Sequence, residues 1–251
     1  MPTEREFLTL RRQKQLAINP RLSELEQWQR YSYIPLDIPR FENPHLIDWF
    51  FSKARPVVKQ APDASTQGVG LSLYNSVDIF PNGYTDAMIS NAIWTLNIQQ
   101  EFMELFSDVY KQIMEGFPFT SVNKITLWNS QRAIGWHRDD ARFTDCPNEF
   151  RVLLHDENTL PTINVARALP DQDTTNLYKA PRLLETNSFA WNNLRTKHST
   201  DFESGHRKII MVFSRLDIDV DRYHDLMKRS VAKYQDTAMV DDAPTLDWVD
   251  V

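Results

Sequence analysis

The order of the apolar patterns predicts an α+β fold: a double-sheet jelly roll, that is, a double-stranded β-helix of cupin-like form, buttressed by N-terminal helices. Three observations carry this. Before about Met114 apolar residues recur at three- and four-residue spacing, as in Phe102, Leu105, Phe106, Val109, Tyr110 and Ile113, the pattern of a helix packing one broad face on a core. After Gly116 the runs become short, β-branched or aromatic, and Asp, Asn, Pro or Gly separates them. No alternation of strand and helix is visible there, which argues against a doubly wound parallel sheet.

Each element has its own local signal. Thr3 with Glu6 makes a capping box for a helix that stops near Asn19-Pro20, and Ser23 with Glu26 repeats the device for a helix to about Tyr31. Pro35, Pro39 and Pro44 keep YIPLDIPRF extended, and Asn43-Pro44 is an N-cap and N1 pair for HLIDWFFSKA, with Leu46, Ile47, Trp49 and Phe50 as its apolar face. QAPDASTQGVG reads as a surface loop. Residues 70–74 and 77–80 alternate like strands and end in the turn Pro81-Asn82-Gly83, after which a single helix is expected over residues 99–114. Strands follow at residues 122–128, FRVLL (150–154), TINVARAL (162–169), NSFAWNN (187–193) and RKIIMVFSR (207–215). Asp221 caps RYHDLMKRSVAKY, which turns Tyr223, Leu226, Met227 and Val231 inward, and DDAPTLDWVDV frays. The whole reads as one domain over 1–251: mainly helical support with two early strands (1–115), strands carrying the site (116–216), then a helix and an acidic tail (217–251).

Composition narrows the function. With 251 residues, 41% of them apolar, the chain can bury a proper core. Lys and Arg number 28 against 34 Asp and Glu, for a net charge of -6, so no basic footprint for a phosphate backbone is present and no nucleic-acid partner is expected. The single cysteine, Cys146, rules out an internal disulfide and a cysteine-cluster metal site. Charges stand in MPTEREFLTLRRQKQ where a signal peptide needs an apolar run, and no run has membrane-spanning length; a cytoplasmic protein with no membrane partner is expected.

The chemistry concentrates at KITLWNSQRAIGWHRD (124–139). A strand, a turn at Asn129-Ser130-Gln131 and a second extended piece deliver His137, Arg138 and Asp139, and alternation puts His137 and Asp139 on one face, where an imidazole and a carboxylate can grip one metal ion. His198 is the third ligand expected. In RTKHSTDFESGHRKIIMVF the turn-like Glu203-Ser204-Gly205 suggests a hairpin that sets His198 roughly opposite Arg207, so a dicarboxylate could chelate the metal with one end and pair with the Arg207 guanidinium at the other. His155, in His155-Asp156-Glu157, is a second His-x-acid; its place after FRVLL suits a rim or co-substrate contact better than a ligand, and Arg151 is the reserve anchor. Lys208 faces away from Arg207 and takes over only if the hairpin register slips by one.

Taken together, His137-Arg138-Asp139, His198 and Arg207 resemble the HxD…H…R pattern of the iron(II)- and 2-oxoglutarate-dependent dioxygenases, over about residues 122–215. HRDD, FRVLL and FAWNN…KHS…R are similar to the aspartyl/asparaginyl hydroxylase and proline cis-hydroxylase branch, although Arg151-Val152-Leu153 stands where that branch has an Arg-x-His pair. The resemblance implies Fe(2+) held by His137, Asp139 and His198, 2-oxoglutarate as co-substrate on Arg207 with Arg151 and His155 nearby, and O2. It implies hydroxylation of an unactivated C–H in an amino acid, a peptide side chain or another small polar metabolite. The residues alone also allow a non-catalytic jelly-roll binding module or a cupin-like metal-dependent hydrolase or isomerase, neither of which needs the Arg207 anchor.

Overall fold

The computed structural model describes Gln13, Leu16 and Ala17 and residues 19–58, 67–74, 97–130, 134–137, 149–155, 162–166, 177–179, 183–191, 198–201 and 208–240. The Thr3–Glu6 capping box, the expected strand at 77–80 and the acidic tail from 241 lie outside these residues.

Caps decide where the helices begin. Asn19 and Pro20 start a 3-10 helix, Pro20–Arg30, with Asn19 Oδ1 accepting from the Arg21 N–H at 3.2 Å. This corrects the expected start at Ser23, whose hydroxyl instead donates back to the Pro20 carbonyl at 2.9 Å from inside the helix. In α1, Pro44–Lys53, Asn43 caps as expected by accepting from the Leu46 N–H at 2.9 Å, and Leu46, Ile47, Trp49 and Phe50 are buried.

The single helix expected over 99–114 is two. Residues 97–105 are helical, Phe106 leaves the helical region at φ -130, ψ 35, and α2 runs Ser107–Gly116. The Phe106 ring packs against Trp49 at 5.3 Å and Phe102 at 5.7 Å, so packing compensates the break. Leu105, expected inside, is 58% exposed, while Phe102, Phe106, Val109 and Ile113 are buried at the spacing of one helical face. The last helix, α3, runs Val220–Tyr234, and its cap is Asp219 rather than Asp221: Asp219 Oδ1 accepts from the Arg222 N–H at 3.1 Å, and Asp221 pairs with Arg21 at 2.6 Å. Its inward residues Tyr223, Leu226 and Met227 are as expected, with Val231 partly buried against the same core.

The strands are β1 Tyr31–Pro35, β2 Arg55–Val58, β3 Gln67–Tyr74, β4 Phe119–Ser130, β5 Ile134–His137, β6 Glu149–His155, β7 Thr162–Ala166, β8 Leu177–Lys179, β9 Ser188–Trp191, β10 His198–Asp201, β11 Lys208–Ile218 and β12 Met239–Val240. They form an eight-stranded sheet, β12-β1-β9-β6-β11-β4-β3-β2, and a four-stranded sheet, β5-β10-β7-β8. All pairings among the described residues are antiparallel. The end of QAPDASTQGVG, expected as loop, is strand: residues 67–70 pair with β2, and 68–70 pair with β4 as well.

One face of the large sheet carries the core. Ile34, Ile125, Leu127, Phe150, Val152, Leu154, Ala190 and Met211 join Leu46, Phe50, Phe102, Val109, Ile113, Tyr223 and Leu226 in one buried cluster. Phe117 and Phe119 stack at 5.4 Å, and Phe150 meets Phe119 and Tyr223 edge-on at 5.6 and 5.3 Å, tying β4 and β6 to α3. Such pairs contribute about 0.5 to 1.5 kcal/mol each beyond the area they bury. The other face is covered too: Tyr33, Leu153 and Phe189 are 4%, 5% and 4% exposed yet stand outside that cluster. Asn187 locks the entry to β9, its Oδ1 accepting from the Phe41 N–H at 2.9 Å and its Nδ2 donating to the Phe41 and Leu153 carbonyls at 2.8 and 2.9 Å. No helix among the described residues is long and apolar enough to cross a membrane.

Candidate active site

His137 ends β5 and His198 begins β10, and the two are direct partners in the small sheet's ladder. Directly opposed residues of antiparallel strands share a face, with Cβ atoms about 4.5 to 5.5 Å apart. The pairing depends on a slip in register: Thr200 lies opposite Ile134, so two steps along β10 match three along β5. Without the extra residue His198 would face Trp136, and His137 would lie on the other face. Gly135, within the slipped stretch, is the residue type that accommodates such a bulge most cheaply.

β10 has β5 on one side and β7 on the other, where His198 opposes Val165. Asp139, two residues beyond β5, lies outside the described residues. Among the described residues no group of three His, Cys, Asp or Glu side chains is placed to hold a metal ion.

The pairing of β10 with β11 that a hairpin around Glu203-Ser204-Gly205 requires is absent among the described residues, and 202–207 lie outside them. β10 belongs to the small sheet, while β11 lies between β6 and β4 in the large one. Both edges of each strand are occupied, so the chain crosses from sheet to sheet between residues 201 and 208 and no shared ladder sets His198 against the Arg207 position. Arg207 itself lies outside the described residues.

Lys208, the first residue of β11, instead opposes His155, the last residue of β6. Arg151, four residues before His155, opposes Val212 of β11 and Phe189 of β9 and is partly exposed. Because Phe150, Val152 and Leu154 occupy the core face of β6, alternation puts Arg151, Leu153 and His155 on the face turned away from the helices, and cross-strand pairing puts Lys208 there with them. Trp128 shares that face through Ile210, its partner on β11 and the partner of Leu153 on β6. Sequence reasoning put Lys208 second to Arg207, because Ile209 to Phe213 is an unbroken apolar run in which period-two alternation leaves no trace of which face is buried.

No family model matches the chain, and neither does any curated protein. Solved structures do. A prolyl-4-hydroxylase from Pseudomonas putida is 10% identical, with a TM-score of 0.37, over 78% of this chain and 99% of that one. A member of the 2OG-Fe(II) oxygenase family from Burkholderia pseudomallei is 12% identical, with a TM-score of 0.37, over 68% and 77%. SnoN, a non-heme alpha-ketoglutarate-dependent epimerase from nogalamycin biosynthesis, is 10% identical, with a TM-score of 0.42, over 78% and 80%. Two of the three are named for a reaction, one as a hydroxylase and one as an epimerase.

Proposed function

We propose that this chain is an iron(II)- and 2-oxoglutarate-dependent oxygenase that hydroxylates a C–H bond of an amino acid, a peptide side chain or a similar small polar metabolite. The observation that carries the reading is the ladder partnership of His137 and His198. Two histidines far apart in sequence, brought to one face of a sheet by a register slip, are the beginning of a two-histidine, one-carboxylate facial set, and Asp139 is the carboxylate that strand alternation offers. The strand order supports the jelly-roll part of the proposal. From β4 to β11 the strands fall alternately into the large and small sheets, except for the consecutive pair β7–β8, which is how a double-stranded β-helix winds.

The donor set fits ferrous iron: two imidazoles and one carboxylate leave open positions for ligands of the reaction. Iron bound there by His137, Asp139 and His198 would supply the site where 2-oxoglutarate and oxygen are activated. The reaction balances as 2-oxoglutarate, O2 and R–H giving succinate, carbon dioxide and R–OH. The far carboxylate of the co-substrate requires a cation, and the entry to β11 offers Arg207 and Lys208 side by side. Arg207 is the residue that the resemblance implies; Lys208 is the one that register sets on the face of His155 and Arg151. The remaining task of the fold is to hold substrate beside the metal and keep water out, and the burial of Leu153 and Phe189 on the same face as Arg151 suits that task.

Anaerobic titration of the full chain with iron(II) and 2-oxoglutarate tests the proposal. A visible charge-transfer band of the chelate, followed by succinate when oxygen is admitted, is the expected result. Absence of both in folded protein rejects the oxygenase.

A further inference from the structure

Register gathers basic positions on one face of the large sheet. On the face turned away from the helices, pairing places Arg55 of β2 opposite Gly70 and Gly70 opposite Trp128; Lys124 of β4 opposite Ser214; Arg151 of β6 opposite Val212; and Lys208 of β11 opposite His155. The acidic residue on the same face is Glu149, opposite Trp191. Within these paired segments cations therefore outnumber anions on this face, in a chain whose net charge is -6. Such segregation against the overall balance makes this face electrostatically favourable to anions.

One anion does not account for it. Arg55 and Lys208 stand on β2 and β11, separated by β3 and β4, and at the usual strand spacing those three steps span about 14 Å. A small dicarboxylate whose keto-acid end is chelated has a single carboxylate left, and it can sit on one of these two cations. Between them, Gly68 and Gly70 share the face with Trp128 and Ser130, so a ligand beside Arg55 meets backbone on one side and an aromatic position on the other. We propose that the primary substrate is an anion, carrying a carboxylate or phosphate, and that Arg55 recognises it, independently of the co-substrate cation at the start of β11. The juxtaposition behind this is the row Arg55–Gly70–Trp128 on the same sheet face as Lys208. The inference rests on the oxygenase reading and names the substrate class for it.

The test is ligand-observed NMR on the full chain with a set of small carboxylates and phosphates, each paired with its neutral amide or alcohol, in saturating iron(II) without oxygen, before and after 2-oxoglutarate is added to saturation. The expected result is that anions bind, their neutral partners do not, and added 2-oxoglutarate fails to displace them. Arg55→Gln should weaken those anions by about ten- to a hundredfold, the range for losing a charged hydrogen-bonding partner, with Arg55→Lys intermediate and the chelate band unchanged. The inference is overturned if no anion outbinds its neutral partner, if 2-oxoglutarate displaces every anion, or if Arg55→Gln binds them as the wild type does. Failure of the oxygenase reading is separately visible, as a missing chelate band in protein that still binds anions through Arg55.

Discussion

Removing the guanidinium of Arg222 should unlatch α2 and α3 from the start of β4. Arg222 Nη2 donates to the carbonyls of Met114, Glu115 and Phe117 at 2.7, 3.0 and 2.6 Å, and Nη1 donates to the Phe119 carbonyl at 3.2 Å. The acceptors are the last carbonyls of α2 and the first residues after it, which the helix itself cannot satisfy and where the helix dipole favours a cation. Nη2 has only two N–H bonds for three carbonyls, so some are shared, and partial exposure lets water replace part of what is lost. A charged hydrogen bond contributes about 1.5 to 3 kcal/mol, and a cation at a helix C-terminus about 0.3 to 2. After those discounts Arg222→Ala should destabilise by about 2 to 4 kcal/mol, the slightly better helix propensity of alanine offsetting only about 0.2. Urea unfolding should show a lower midpoint at unchanged slope, and the melting temperature should fall by about 5 to 10 °C. Arg222→Met, which keeps an apolar stem but no donors, should lose nearly as much. Recovery of wild-type stability in Arg222→Met, or a loss below about 1 kcal/mol in Arg222→Ala, would show that packing rather than carbonyl capping holds this corner.

Three further outcomes are expected. His137→Ala, Asp139→Ala and His198→Ala should each lower iron affinity by more than the about ten- to hundredfold that losing a partner of a ligand costs, whereas His155→Ala keeps iron bound; metal titration that finds the reverse moves the ligand set to residues 155–157. Of the two cations at the entry to β11, the one that anchors 2-oxoglutarate should raise the co-substrate requirement about ten- to a hundredfold on mutation to alanine without loss of iron; register favours Lys208, and an effect confined to Arg207→Ala would mean that the strand's alternation breaks at its first residue. Glu101 receives a hydrogen bond from the Trp49 Nε1 at 3.1 Å and pairs with Lys53 at 2.8 Å, and Lys53 first, then Trp49, holds its carboxyl below the ordinary range. A carboxylate depressed in the folded state stabilises above its unfolded pKa, and that stability is lost as pH falls below about 4.5, the group's ordinary value, and through the folded one. Unfolding midpoints against pH should therefore drop less steeply below pH 4.5 in Glu101→Gln than in the wild type, and parallel curves would discard that contribution.

Local chemistry was legible where the signal and its target are adjacent in sequence. Asn43-Pro44 announced α1 because a cap is a contact between residues three apart, and the inward face of α3 followed from period alone. Caps with competing candidates were not legible: Asn19 over Ser23, and Asp219 over Asp221, were decided by where the preceding segment ended, with β11 running to Ile218 and leaving one residue before the helix. The break at Phe106 was equally hidden, because neither Gly nor Pro stands near it and the apolar period runs through it unchanged.

For the site, the sequence by itself determined the residue types and an extended setting for them: His137 after a short apolar run, His198 ahead of a turn-like segment, and basic residues before the apolar run of β11. Tertiary structure alone decided who meets whom. Which strand lies beside β10 is a question of sheet topology: the turn-like residues 203–205 suggested a hairpin, whereas β10 and β11 belong to different sheets. Whether His137 or Trp136 opposes His198 depends on a one-residue slip that no local pattern encodes. The face of Lys208 was equally unreadable from its own apolar neighbours, and was set by the partnership with His155. The physical reason is common to all three: side-chain direction in a strand has period two, so a single residue of register, fixed only by long-range pairing, turns every position from one face to the other.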